Sequence, residues 1–210
     1  MSQFAYQRPS YDNSAIPTVI FTLLVINGLA FAAQQFLWSY LLYYLALWPL
    51  GTGPGNPSFM PWQLVSYGFL HGDLMHIFFN MFGLWMFGRD LERLMGPRNF
   101  LVYYMTCVIG AGLVQLLFAA VVGGVYPTVG ASGGVFGILL AYAMFFPNRT
   151  VMLLFPPIPM RAKYFVLFYG LLELYLGVSG MAPGVAHFAH LGGLLFGFLL
   201  LQYWRRQRRR

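Results

Sequence analysis

The chain has 210 residues, 59% hydrophobic and only 8% charged, with a mean hydropathy of +0.66. Soluble domains carry about 25% charged residues, so a water-facing surface is excluded and lipid is the solvent for most of the protein. The formal net charge of +7 does not point to nucleic acid. Its largest block is the terminal WRRQRRR, which directly follows an apolar run as basic residues do beside anionic headgroups.

Residues 1–15 (MSQFAYQRPSYDN and the two that follow) read as a short cytoplasmic N-terminus. They are too polar and too long for the n-region of a cleaved signal, so the first apolar run is a retained helix. Apolar runs of helical length fall at 16–36, 74–94, 99–121, 132–147, 162–180 and 184–204. The expected fold is therefore all-α, a polytopic membrane domain over 16–204 with six transmembrane helices and a basic tail at 205–210. Between the first two runs lies LWSYLLYYLALWPLGTGPGNPSFMPWQ. It is rich in Trp, Tyr, Pro and Gly and reads as a membrane-associated loop lying in the interface.

With six spans, every basic residue falls on one face. Arg8 precedes the first span, and Arg89, Arg93 and Arg98 surround the junction of the second and third. Arg149, Arg161 and Lys163 lie between the fourth and fifth, and the last five arginines end the chain. The opposite loops hold Asp73 and neither Lys nor Arg, so both termini are expected in the cytoplasm. The lone Cys107 excludes an internal disulfide and a multi-cysteine metal cage, and reads as packing.

Polar residues gather toward the outer ends of three helices. Ser132 opens the short fourth helix after VGGVYPTVGA, about 6 Å below the outer edge of the hydrocarbon. Irregular backbone at that depth survives only against protein or trapped water. His76 and Asn80, four apart, share a face of the second helix, with His71 at its mouth. His190 lies about 9 Å into the sixth helix. Gly193 and Gly197 follow it in a G-x-x-x-G spacing that permits close packing. If that strip meets the fourth helix, His190 meets Ser132.

These residues resemble the rhomboid family of intramembrane serine proteases. Gly130-Ala131-Ser132-Gly133 is similar to its G-x-S-G. His71, His76 and Asn80 follow its H-x-x-x-x-H-x-x-x-N, and Ala189, His190, Gly193 and Gly197 its A-H-x-x-G-x-x-x-G. The resemblance implies the compact bacterial six-helix form, in the inner membrane, without a cofactor or metal. It implies Ser132 as nucleophile and His190 as general base, a dyad without a carboxylate. His76, Asn80 and the Ser132 backbone N–H would stabilise the oxyanion. His71 would hold water or the loop, and Phe136 would stack on His190. Other transmembrane proteins would be cut near the outer face, through a gate between the second and fifth helices. One departure is the first loop, which lacks an arginine after Trp38, Trp48 or Trp62. Glu92-Arg93 resembles a family pair and reads as structural.

Three other readings rest on the same residues. His187 and His190 with His71 and His76 could form a metal site, although no H-E-x-x-H is present. A catalytically inactive rhomboid-like binding module would lack the serine or the histidine, and this chain has both. Glu173 reads as a hydrogen-bonded structural group, and Asp73 lies too near water to be a third catalytic member.

Overall fold

The computed structural model describes residues 16–53, 55–123, 125–152, 157–181 and 184–207. The N-terminal segment, Arg8 and Arg208 to Arg210 lie outside the described residues. Among the described residues seven α-helices run in chain order: α1 (Thr18–Leu45), the short α2 (Gln63–Ser66), α3 (Leu74–Met95), α4 (Pro97–Val122), α5 (Ser132–Phe145), α6 (Ala162–Ser179) and α7 (His187–Gln207). Six of them correspond to the six expected spans. Large apolar side chains stand exposed around the bundle, among them Leu29, Phe36, Leu117 and Leu171. In water such a surface would aggregate, whereas in a bilayer it is the ordinary lipid-facing surface.

Two features depart from the sequence reading. α1 continues to Leu45 through a non-helical Leu37 (φ −123°, ψ 25°), so the first nine residues of the expected loop are helix. Its aromatic run hid a helix that needs no polar face. The chain also makes a small antiparallel ribbon, β1 (Thr150–Met152) with β2 (Pro159–Arg161), on an otherwise helical fold. A salt bridge of 2.5 Å from Arg149 to Asp90 ties this connection to the end of α3.

Local chemistry sets the helix ends that matter. Asp73 accepts a hydrogen bond from the His76 N–H at 2.8 Å and so caps α3. Gly96, at φ +80°, ends that helix, and Pro97 opens α4. The Glu92 carboxylate on α3 accepts from the N–H groups of Val19 and Ile20 at 3.0 and 2.8 Å. An anion at the positive end of α1 is favoured, and it satisfies two N–H groups of the first turn.

α5 runs through the middle of the bundle, with nine of its 14 residues buried. At about 1.5 Å per residue it spans roughly 21 Å, short of the ~30 Å hydrocarbon core. The loop ahead of it is satisfied by protein. Leu47 and Thr128 exchange both backbone hydrogen bonds, and Gly130 N–H donates to the Tyr67 carbonyl at 3.0 Å.

Candidate active site

α3, α5 and α7 begin at the same end of the bundle and bring the singled-out residues together there. Ser132 is the first residue of α5, and His190 is the fourth of α7. His190 Nε2 lies 2.7 Å from Ser132 Oγ. α7 starts three residues later than its apolar run, because Val185 and Ala186 accept turn hydrogen bonds instead. His190 therefore stands nearer the helix mouth than its depth in the run suggests.

Glycine makes this approach possible. A Cβ on Gly193 would collide with the carbonyl of Gly133, so α5 and α7 touch backbone to backbone. One on Gly133 would meet the Ala111 methyl, and one on Gly137 the sulfur of Cys107. Gly197 gives way to the Tyr103 hydroxyl, which itself donates to the Gly137 carbonyl at 2.7 Å. Cys107 is wholly buried where α4, α5 and α7 meet.

The His190 ring is held on its face and at Nε2, with a carboxylate close to Nδ1. Phe136, one turn after Ser132, stacks on it at 4.4 Å between centroids and 10° between planes. Its Nδ1 lies 2.9 Å from Glu173 Oε2 on α6, off the direction needed for a linear hydrogen bond. The same carboxylate oxygen is hydrogen-bonded to His187 Nδ1 at 2.6 Å. The resemblance implied no carboxylate at this histidine. Glu173 stands there nonetheless, buried and bonded as an isolated polar group in a span must be.

His76 approaches Ser132 from the other side. Its Nδ1 accepts from the Gly72 N–H at 3.3 Å, which leaves the proton of a neutral ring on Nε2. A Cβ on Gly130 would stand 2.8 Å from both Cε1 and Nε2 of that ring and 3.5 Å from Ser132 Oγ. His76 Nε2 and Ser132 Oγ therefore border one small space kept open by a glycine at φ +133°. No side chain caps α5, so its leading N–H groups are available to an anion at the same spot. Asn80 is buried, and one of its amide hydrogens goes to the His76 carbonyl at 2.9 Å. The second is the one available to a ligand.

His71 sits in the loop ahead of α3, buried, and its ring nitrogens have no hydrogen-bond partner. Burial, reinforced by the neighbouring His76, pushes its pKa down to about 3. Gln34 of α1 clamps its backbone, donating to the carbonyl at 2.8 Å and accepting from the N–H at 3.0 Å. Beside it lies an open cavity of about 500 Å³ lined by Gln34, Trp38, Gly72 and Asp73. Asp73 serves as the α3 cap and does not face His190.

Two polar residues to which the sequence reading gave no such role organise the site. Gln63, wholly buried, accepts from the N–H groups of Trp48 and Met60 at 3.2 Å each. It anchors the first loop where an arginine is absent. His187 is the second, and its spacing of three before His190 was the available signal. As to metals, the donors of Glu173, His187 and His190 lie within 4.8 Å of one another. Two tetrahedral zinc ligands stand about 3.3 Å apart, wider than the 2.6 and 2.9 Å found here. The three are spaced for bonding one another, and His71 and His76 belong to a separate group with rings 5.1 Å apart.

α3 and α6 flank the site with no extended contact between them. Phe87 and Phe165 bridge them at 6.1 Å, toward the end away from Ser132.

A family model described as Rhomboid domain matches residues 58–207. The chain is 30% identical over 200 residues to "Rhomboid protein 1, mitochondrial" of Saccharomyces cerevisiae, covering 90% of this chain and 54% of that protein. It is 31% identical over 168 residues to "Rhomboid protease GlpG" of Serratia proteamaculans, covering 78% and 54%. It is 30% identical over 142 residues to "Rhomboid protease GluP" of Bacillus subtilis, covering 65% and 25%. The chain thus spans about half the length or less of these relatives.

Proposed function

The chain belongs to the rhomboid family, and on that premise we propose that it is an intramembrane serine endopeptidase acting on transmembrane segments of other proteins. The observation that carries this reading is the 2.7 Å contact between Ser132 Oγ and His190 Nε2 at a mouth where three helices begin. With its Nε2 lone pair toward Ser132, His190 takes the hydroxyl proton as Oγ attacks a peptide carbonyl. The carbonyl electrons move to oxygen, and the resulting oxyanion is met by His76 Nε2–H, Asn80 and the Ser132 N–H. Losing one such donor typically costs about 10²–10³-fold in rate. Collapse breaks the C–N bond, the amine leaves with the proton from His190, and water repeats the sequence on the acyl-enzyme.

A substrate helix has to present an extended peptide to Ser132, and Gly, Pro or other helix-weakening residues lower that cost. The gap between α3 and α6 is the entry that the packing favours. The basic residues from Arg89 to Arg206 support an orientation with termini and basic loops in the cytoplasm of a bacterium and the site toward the outer face. Alkaline phosphatase and green fluorescent protein fusions to the loops test that orientation.

The activity is tested on purified protein with a fluorophosphonate. The expected adduct is on Ser132, and it disappears in His190→Ala. In liposomes, Ser132→Ala removes cleavage of a transmembrane substrate by about 10⁶-fold. An adduct elsewhere, or cleavage that survives Ser132→Ala, refutes the assignment.

A further inference from the structure

Glu173 and His187 are buried, polar and adjacent to the proposed machinery, and the dyad scheme gives them no task. We propose that Glu173, itself held by His187, is a positioning residue that fixes the tautomer and angle of His190. The inference rests on the serine-protease reading.

The chemistry follows from which atoms can donate. A carboxylate only accepts, so the 2.6 Å contact with His187 Nδ1 requires the proton of that ring to sit on Nδ1. The remaining capacity of Glu173 Oε2 faces His190 Nδ1 at 2.9 Å. A negative oxygen there favours the tautomer protonated on Nδ1, whose Nε2 is a free base 2.7 Å from Ser132 Oγ. In the opposite tautomer Nε2 carries the proton and cannot accept one from serine.

When the Ser132 proton moves to Nε2, the imidazolium gains a counter-charge at its other edge. The proton leaves again from Nε2 with the amine, so Glu173 neither gains nor loses one in the cycle. The contact lies off the ring N–H direction, and small motions on substrate binding tighten such contacts. His187 prevents the alternative in which the carboxylate swings away, because it holds the same oxygen from the other side. Phe136 on the ring face leaves rotation in the plane as the freedom still to be restrained, and Glu173 restrains it.

The test uses the full chain in liposomes with Glu173→Gln, Glu173→Asp and His187→Ala. Wild type and Ser132→Ala show whether the underlying reading holds. If wild type neither cleaves nor labels on Ser132, the protease reading has failed, and the variants are not needed to say so.

Given an active wild type, Glu173→Gln is expected to lower kcat and the fluorophosphonate labelling rate together by about 10²-fold. That is less than the ~10⁴-fold for neutralising an in-line triad carboxylate, and KM holds within about twofold. Glu173→Asp, which keeps the charge, is expected to recover part of the loss. His187→Ala costs about tenfold alone and nothing further in the Glu173→Gln background. Proton NMR of wild type with labelled histidine, which needs no variant to fold, is expected to show a low-field Nδ1–H from His190 in the phosphonate adduct. A wild-type kcat in Glu173→Gln overturns the proposal, as does a loss confined to KM or thermal stability, or an absent low-field proton. Activity abolished by chelator, with one metal per chain lost in His187→Ala, overturns it in favour of a metal site.

Discussion

α7 has two neighbours that it treats in opposite ways. Against α5 it packs backbone on backbone, Gly193 against the Gly133 carbonyl, with no room for one methyl group. Against α6 it packs through side chains, and α6 buries only Ala162, Val166 and Glu173. The seam fixes the separation of Ser132 and His190 by steric exclusion, which does not bend. The flank contributes a polar contact, Glu173 with His187 and His190, carried on a helix that is otherwise largely exposed. The proposed function calls for both: reacting groups that do not move and a neighbour that does.

The sharpest way to break this comparison is Gly193→Ala. A Cβ meeting backbone cannot be relieved by a rotamer change, so destabilisation above about 3 kcal/mol is expected. Ser132 labelling should fall by at least ~10²-fold through misplacement alone. A variant that melts and labels like wild type would show the seam to be loose.

Next comes the acid response of the loop ahead of α3, through His71. The unfolded chain takes up a proton there near the ordinary value of 6.5, while the folded ring stays neutral down to about 3. Its contribution is therefore whole above 6.5 and is lost as pH falls through that window, at up to ~1.4 kcal/mol per pH unit. Thermal midpoints in detergent between pH 7 and about 5 should fall less steeply in His71→Phe than in wild type. Equal slopes would mean that water already reaches the ring and that the outer end is not tightly packed.

Phe136→Leu tests the ring face alone. About 1 kcal/mol of stability is expected to go with the stacked pair, together with a fall in kcat and no change in KM. A KM effect would place Phe136 against substrate instead. The smallest effect belongs to the flank. Leu171, 59% exposed on α6, should tolerate Ala within about 0.5 kcal/mol. A larger loss in thermal midpoint would mean that α6 is bound as firmly as α5.

What could be read from the sequence, and what could not, divides by range. Ser132, His76 and His190 were legible because each lies near the start of an apolar run, and run boundaries convert directly into depth. Gly193 and Gly197 were legible because close packing has a helical period. Glu173 and His187 were each noticed but not joined, since nothing local tells which face of the fifth span turns toward the sixth. The role of Gln63 was illegible, because a loop fastened by one amide to two backbone N–H groups has no pattern in the chain. α1 was cut short because Trp and Tyr, which signal an interface, also tolerate helix.

The Glu92 cap bears on which wall of the gap between α3 and α6 is fixed. It fastens the start of α1 to the C-terminal end of α3, and Gln34 fastens α1 to the loop ahead of α3 at the other end. Asp90 ties α3 in turn, through Arg149, to the connection that leads into α6. Fastened top and bottom, α1 and α3 form a fixed jamb. Under the proposed function α6 is then the side of the gap left to move, and moving it parts Glu173 from His187 and His190 together.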